Sequence, residues 1–382
     1  MVERAAIGVV LCLIGLLMGI WPAQAETPPA QWGRETLEAI QAAFWLPERH
    51  LYANEAALGQ PIPDRPAFMW GCGVQLSALA AAARMDRPAF APQLRRYADA
   101  LNAYWTTHNG IGGYDVLPGP KPSDRYYDDN AWIVLALVET YEVTQEPHYR
   151  QRAEETFRFV LSGEDETLGG GIYWHENERN SKNTCSNAPS AAAALRLYQV
   201  TSKPEYLQAA RRLYAWTNAH LQDKDGLFFD HIRLDGSVEP TKWSYNSALM
   251  IRTNGLFYTI THEKKYLEEA QRIARAAEAR WVHPDTGALS DEAAFAHLLA
   301  EAFLAVYDLD RDTRWLHIVQ RALMFLHDKG CDPNGHYGPR WDTPQPTPLT
   351  TFRQIDQASA ARAYWVAARY PWSANQSAAT PR

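Results

Sequence analysis

Asp128 and Asp129 stand side by side behind two aromatics in Tyr126-Tyr127-Asp128-Asp129-Asn130-Ala131-Trp132, and an apolar run follows from Ile133 to Val143. Two carboxyl groups on the order of 5 Å apart can share the work of breaking a glycosidic bond with retention, one as nucleophile and one as acid and base. Neighbours on a helix diverge by about 100° around its axis. Their carboxyl groups can still stay within that reach. A plainer role is open beside it: acids favour a helix N-terminus, where unpaired N–H groups and the dipole present positive charge. The flanking Tyr126, Tyr127 and Trp132 are of the type that stacks on sugar rings.

Other loop segments carry residues of the same kinds. Gly169-Gly170-Gly171-Ile172-Tyr173-Trp174 precedes Lys182-Asn183-Thr184-Cys185-Ser186-Asn187-Ala188-Pro189. The glycine run lacks the G-K-[ST] of a phosphate-binding loop. It reads either as a tight turn or as a place where backbone approaches a sugar, with Tyr173 or Trp174 as a platform. Asn183 and Asn187 either bond sugar hydroxyls or cap the next helix. Further on, Asp225-Gly226-Leu227-Phe228-Phe229-Asp230 reads as a turn, and Lys242-Trp243-Ser244-Tyr245-Asn246 opens another helix, where Tyr245 and Asn246 are candidates for substrate contact or for capping and packing. The histidines near these loops, His175, His231 and His336, follow no spacing that marks a pair of bases, and no H-E-x-x-H or similar metal-binding cluster occurs.

An internal repeat shows which elements must hold these loops. Tyr141 and Tyr149, Tyr198 and Tyr206, Tyr258 and Tyr266, and Tyr307 and Trp315 are each eight residues apart. Between the first three pairs lie Thr144-Gln145-Glu146-Pro147, Thr201-Ser202-Lys203-Pro204 and Thr261-His262-Glu263-Lys264. Polar residues followed by Pro are helix starts. Short turns therefore alternate with long loops. About twelve helices are expected, near 33–45, 71–84, 88–107, 127–143, 147–162, 187–200, 204–221, 244–260, 263–281, 291–307, 311–328 and 354–369. Helices after long loops are rich in Ala, Ser and Leu and suit an inner ring. Those after short turns carry charges on one side and suit an outer ring. The expected fold is all-α, an (α/α)6 barrel of six helical hairpins, with an open helical solenoid as the alternative. All long loops then gather on one face. Strand alternation is not evident, although short hairpins could sit in the long loops.

The bounds agree with one enzyme-sized domain. The chain has 382 residues, 46% of them hydrophobic and 21% charged, and a formal charge of −7 that argues against nucleic acid. Its 14 Trp and 19 Tyr fall often in polar, Gly-rich stretches, as carbohydrate sites require. Residues 1–25 read as a signal peptide, with Arg4, an apolar run from Ala5 to Ile20 and a small-x-small site at Ala23-Gln24-Ala25; a membrane anchor is the alternative. A catalytic domain over 26–372 and a tail over 373–382 complete the division, and the expected location is secreted, periplasmic or at the cell surface. One disulfide could form among Cys72, Cys185 and Cys331. A monomer is expected, with no transmembrane helix in the mature chain.

Taken in order, Tyr126–Trp132, Gly169–Trp174, Lys182–Pro189, Gly226–Asp230 and Tyr245-Asn246 resemble glycoside hydrolase family 76, the endo-α-1,6-mannanases. The resemblance implies an (α/α)6 barrel and a retaining hydrolase acting on α-1,6-linked mannose chains, with no metal or organic cofactor. It implies Asp128 as nucleophile and Asp129 as general acid and base. One departure stands out: the family follows Tyr-Asn with Gln-Gly, whereas Ser247-Ala248 follow here, which bears on the local subsite. A transglycosylase acting on cell-wall mannan or glycolipid would use the same pair. A barrel epimerase would need histidine bases, and a glycan-binding protein would not need both acids.

Overall fold

The computed structural model describes residues 26–119 and 124–372, so the expected signal peptide and C-terminal tail lie outside the described residues. Twelve α-helices make up most of it: α1 (Pro28–Phe44), α2 (Met69–Met85), α3 (Arg87–Ala100), α4 (Tyr127–Thr144), α5 (Pro147–Leu161), α6 (Thr184–Thr201), α7 (Pro204–Leu221), α8 (Ser244–Thr261), α9 (Lys264–Trp281), α10 (Ala293–Asp310), α11 (Thr313–Phe325) and α12 (Gln354–Ala367). The inner ring runs α2, α4, α6, α8, α10, α12 and closes from α12 back onto α2. Each inner helix packs against its own outer partner, and α1 covers α12, so the two ends of the chain complete the sixth pair. This is the expected (α/α)6 barrel, and closure of the ring excludes the open solenoid.

The eight-residue spacing has a physical cause. The carbonyl of Tyr141 accepts the N–H of Gln145, which takes a left-handed conformation (φ 64°) just past the end of α4. Ser202, His262 and Arg311 repeat this with Tyr198, Tyr258 and Tyr307. The chain then reverses, and Pro147 or Pro204 in the next first turn fixes φ where no N–H is needed. The second aromatic of each pair (Tyr149, Tyr206, Tyr266 or Trp315) is buried on the inward side of the outer helix.

The inner helices bury side chains on every side, as in α6 from Thr184 to Leu195, whereas outer helices such as α9 bury one stripe. Gly33 and Gly73 let helices approach closely; a Cβ on Gly33 would lie 2.8 Å from the Trp365 ring.

Two expectations need correction. The third helix does not reach Thr107 but ends at Ala100, and Trp105–His108 pairs with Ile111–Tyr114 as a hairpin. Asn109-Gly110, both at positive φ, supplies the turn that such hairpins favour. The cysteines form no disulfide: Cys72, Cys185 and Cys331 are all free thiols on separate elements. Among the described residues no helix is long and apolar enough to cross a membrane.

Candidate active site

The long loops meet over the N-termini of the inner helices and enclose a cavity of about 710 Å³. Its position follows from how α4 begins. Arg125, fully buried, grips Glu176 through two bonds of 2.8 and 2.6 Å and donates to the carbonyls of Thr106 and Ile111. Tyr126 then runs extended beside His175, and the Tyr127 N–H bonds the Trp174 carbonyl at 3.0 Å. The first turn of α4 is thereby locked to the loop after α5, and both aspartates face the cavity.

The two carboxyls have different surroundings. The Trp174 indole N–H donates to Asp128 Oδ2 at 2.9 Å and the Asp129 backbone N–H donates to Asp128 Oδ1 at 3.0 Å, and the Cys185 thiol on α6 favours the charged carboxyl in the same way. Burial raises Asp128 to about 6 against the pull of these donors. Burial raises Asp129 well above the ordinary aspartate value too, and the charges of Asp128 and Asp124 push the same way. The environment thus favours charge on Asp128 and a proton on Asp129.

Tyr126, Trp132, Trp174, Asn183 and Tyr245 line this cavity with the acid pair. Three candidates do not. Tyr127 is wholly buried, stacked on Phe159 at 4.9 Å, with its hydroxyl accepting from Arg179. Asn187 is also buried: its amide takes the Ile172 N–H at 2.7 Å and donates to the Ile172 and Asn183 carbonyls, each at 2.9 Å. Asn246 on α8 is buried, and neither side-chain polar atom has a hydrogen-bond partner among the described residues. The glycine run proves to be a packed turn. Gly169, Gly170 and Gly171 all have positive φ, and a Cβ on Gly171 would lie 2.5 Å from the Trp216 ring. Lys182 holds that turn through Asp165 and the Thr167 and Gly170 carbonyls, and Tyr173 bonds Asp165 instead of facing the cavity.

Several wall residues escaped sequence reasoning. Phe68 is the N-cap of α2 and Trp70 lies in its first turn, Phe295 comes from α10, and Asp230 directly precedes the strand that holds His231 and Arg233. Asp230 sat in a motif already noted; Phe68 and Phe295 sit in apolar helix starts, which give no signal apart from core. His231 pairs with Asp230 at 2.7 Å and is the only imidazole on the wall among the described residues. His175 is tied between Asp124 and the Glu178 N–H. No group of three or more His, Cys, Asp or Glu could hold a metal ion among the described residues.

At the opposite end of the barrel a second cavity of about 330 Å³ opens among the C-terminal halves of the inner helices. Its polar residues already serve one another. Arg362 spends its donors on Glu139, Glu301 and the Ser77 carbonyl, at 2.6 to 3.0 Å.

Comparison with known proteins agrees with this architecture. The sequence profile described as glycosyl hydrolase family 76 matches residues 49–343. The solved structure of a family 76 alpha-mannanase from Bacteroides thetaiotaomicron is 34% identical, with a TM-score of 0.85 over 90% of this chain and 96% of that one. An inactive variant of the alpha-1,6-mannanase of Salegentibacter sp. HEL1_6, solved with alpha-1,6-mannotriose, shares the fold at 22% identity and a TM-score of 0.76, covering 89% and 99% of the two chains. Mannan endo-1,6-alpha-mannosidase DCW1 of Candida glabrata is 25% identical over 43% of this chain and 40% of its own length. The Schizosaccharomyces pombe meiotically up-regulated gene 191 protein is 26% identical over 60% and 55%. The match spans about half the length of these curated relatives. By the extent of the profile match and the likeness of its fold, the chain belongs to glycosyl hydrolase family 76.

Proposed function

We propose that this protein is a retaining glycosidase that cleaves α-1,6-mannosidic bonds in mannan-type chains outside the cytoplasm. Asp128 is its nucleophile and Asp129 its general acid and base. The observation that carries the reading is the opposed setting of two adjacent carboxyls. Asp128 accepts from the Trp174 indole and the Asp129 N–H, whereas burial and two negative neighbours favour a proton on Asp129. The family and the alpha-mannanases it resembles supply the substrate class.

The reaction runs in two displacements. Asp128 attacks the anomeric carbon while the Asp129 proton moves to the departing oxygen, so the glycosidic bond breaks as the glycosyl ester forms. Asp129, now ionised, takes a proton from water, and that water attacks the same carbon and frees Asp128. Ester formation removes the charge of Asp128, so the repulsion that raised Asp129 falls just when it must serve as a base.

Asp128→Asn and Asp129→Asn are each expected to abolish nearly all hydrolysis of linear α-1,6-mannan with the helical circular-dichroism spectrum unchanged. NMR of the first products should show the α-anomer. Near-normal turnover by either variant, or initial release of the β-anomer, refutes the assignment. Added mannose acceptors separate hydrolysis from transglycosylation, since only a transferase lengthens them in preference to releasing sugar.

A further inference from the structure

We infer that the cavity at the far end of the barrel is a binding site for one small oxyanion, a carboxylate or phosphate group, held by Arg252 and Arg369. The site is independent of the reaction proposed above. All six inner helices contribute to its wall. Its volume of about 330 Å³ is at the lower end of what small-molecule pockets enclose. Leu256, Leu304 and Val366 add apolar wall for the carbon part of such a molecule.

Most of the polar groups here serve one another. Five arginines and three carboxyls line the cavity. Arg362 is spent on Glu139 and Glu301, and Arg84 and Arg196 share Glu142, at 2.9 and 2.6 Å. Even with Glu142 counted, which is not part of the wall, the arginines exceed the carboxyls by one. The negative ends of the inner helices attract cations, but that pull reaches only the last turn. Arg252 lies nine residues before the last residue of α8, more than two turns in. The helix dipole therefore does not account for it.

Arg252 is the under-used group. Its Nη2 reaches Glu139 Oε1 at 3.3 Å, and Arg362 already donates to that same oxygen at 3.0 Å. Its Nε and Nη1 make no hydrogen bond among the described residues, yet neither is sealed inside the protein. The side chain is 19% exposed and lines the cavity, so these N–H groups open into it. Burial holds its pKa below the ordinary arginine value, against the pull of Glu139 and Glu301. A guanidinium taken out of water with donors to spare is costly, and an oxyanion satisfies those donors with charge-assisted bonds. Arg369 is the second group, two residues past the end of α12. It is exposed, pairs with no carboxylate among the described residues, and lies 5.7 Å from the centre of the Tyr370 ring.

Isothermal titration of the whole protein with sodium phosphate and with sodium malonate, against sodium chloride at equal ionic strength, tests the site. One phosphate or one malonate is expected to bind per chain, whereas chloride is not. Tighter binding of phosphate assigns a phosphate-bearing ligand, and tighter binding of malonate a carboxylate. Arg252→Gln should weaken the binding at least about tenfold, the worth of one charge-assisted hydrogen bond. If that variant fails to fold, Arg369→Gln, a change at an exposed position, is read by the same criterion. No binding of either anion overturns the inference. So does an affinity that the substitution leaves unchanged, which would show an adventitious ion only.

Discussion

The indole nitrogen of Trp174 lies 2.9 Å from Oδ2 of Asp128 and donates its proton to that carboxylate. The ring is 40% exposed, so one side chain both closes the wall and fixes the orientation of the aspartate. Trp174→Phe keeps the ring and deletes the donor. A hydrogen bond to a charged group is worth about 1.5–3 kcal/mol, so kcat/KM should fall roughly ten- to a hundredfold. The acid limb of the pH profile should also move upward, because the lost donor had lowered Asp128. A fall in kcat/KM with an unmoved acid limb would mean that Trp174 acts on substrate alone.

The unequal surroundings of the pair predict a bell-shaped dependence of kcat/KM on pH. Activity requires Asp128 ionised and Asp129 protonated, so it rises as the pair loses its first proton near pH 6 and falls when the second leaves. Asp124 is the test of the basic limb. Its charge is one of the causes that keep Asp129 protonated, after burial and Asp128. Asp124→Asn should shift the basic limb to lower pH while the acid limb moves less. A basic limb that stays in place would show that burial and Asp128 alone set it.

The repeat made the ring legible in the sequence, because paired aromatics and capped turns are local features that each hairpin must carry. What the sequence could not tell was which polar residues serve the substrate and which serve the chain. The fourth residue of four inner helices answers for one class. Asn130, Asn187 and Gln357 each accept the N–H and bind the C=O of one loop residue, Tyr114, Ile172 and Tyr337 respectively. Ser247 holds the same place on α8 and reaches only the Phe228 N–H, at 3.2 Å. The change from the family's Gln at 247 therefore alters a clamp on a loop and is not a change in a sugar contact. An amide at this position looks the same in sequence whether it faces a sugar or a backbone. Only the course of the preceding loop, set by contacts far along the chain, separates the two. The hairpin of Trp105–His108 with Ile111–Tyr114 was hidden for a related reason: its first strand continues a helical pattern, and Asn109-Gly110 alone marked the reversal.

The far end of the barrel yields a prediction about stability. Arg362 binds Glu139 through bonds of 2.6 and 3.0 Å and Glu301 through two of 2.8 Å, with Arg252 also reaching Glu139 at 3.3 Å. Burial alone would raise Glu139, yet Arg362 and Arg252 outweigh it and hold the carboxyl down at about 2. Arg362→Met leaves two buried carboxylates without their main partner, which should lower stability by about 3–5 kcal/mol in denaturant unfolding at neutral pH. The pH dependence separates this from lost packing. A carboxyl depressed in the folded state stabilises above its unfolded pKa, and that stability drains away as pH falls toward the folded value. The unaltered protein should therefore lose this contribution between the ordinary glutamate range and about pH 2. In Arg362→Met the buried carboxyls bind protons more readily than in the unfolded chain, so the sign reverses and the deficit shrinks on acidification. A deficit that stays constant with pH would show that Arg362 matters for its packing and not for its charge.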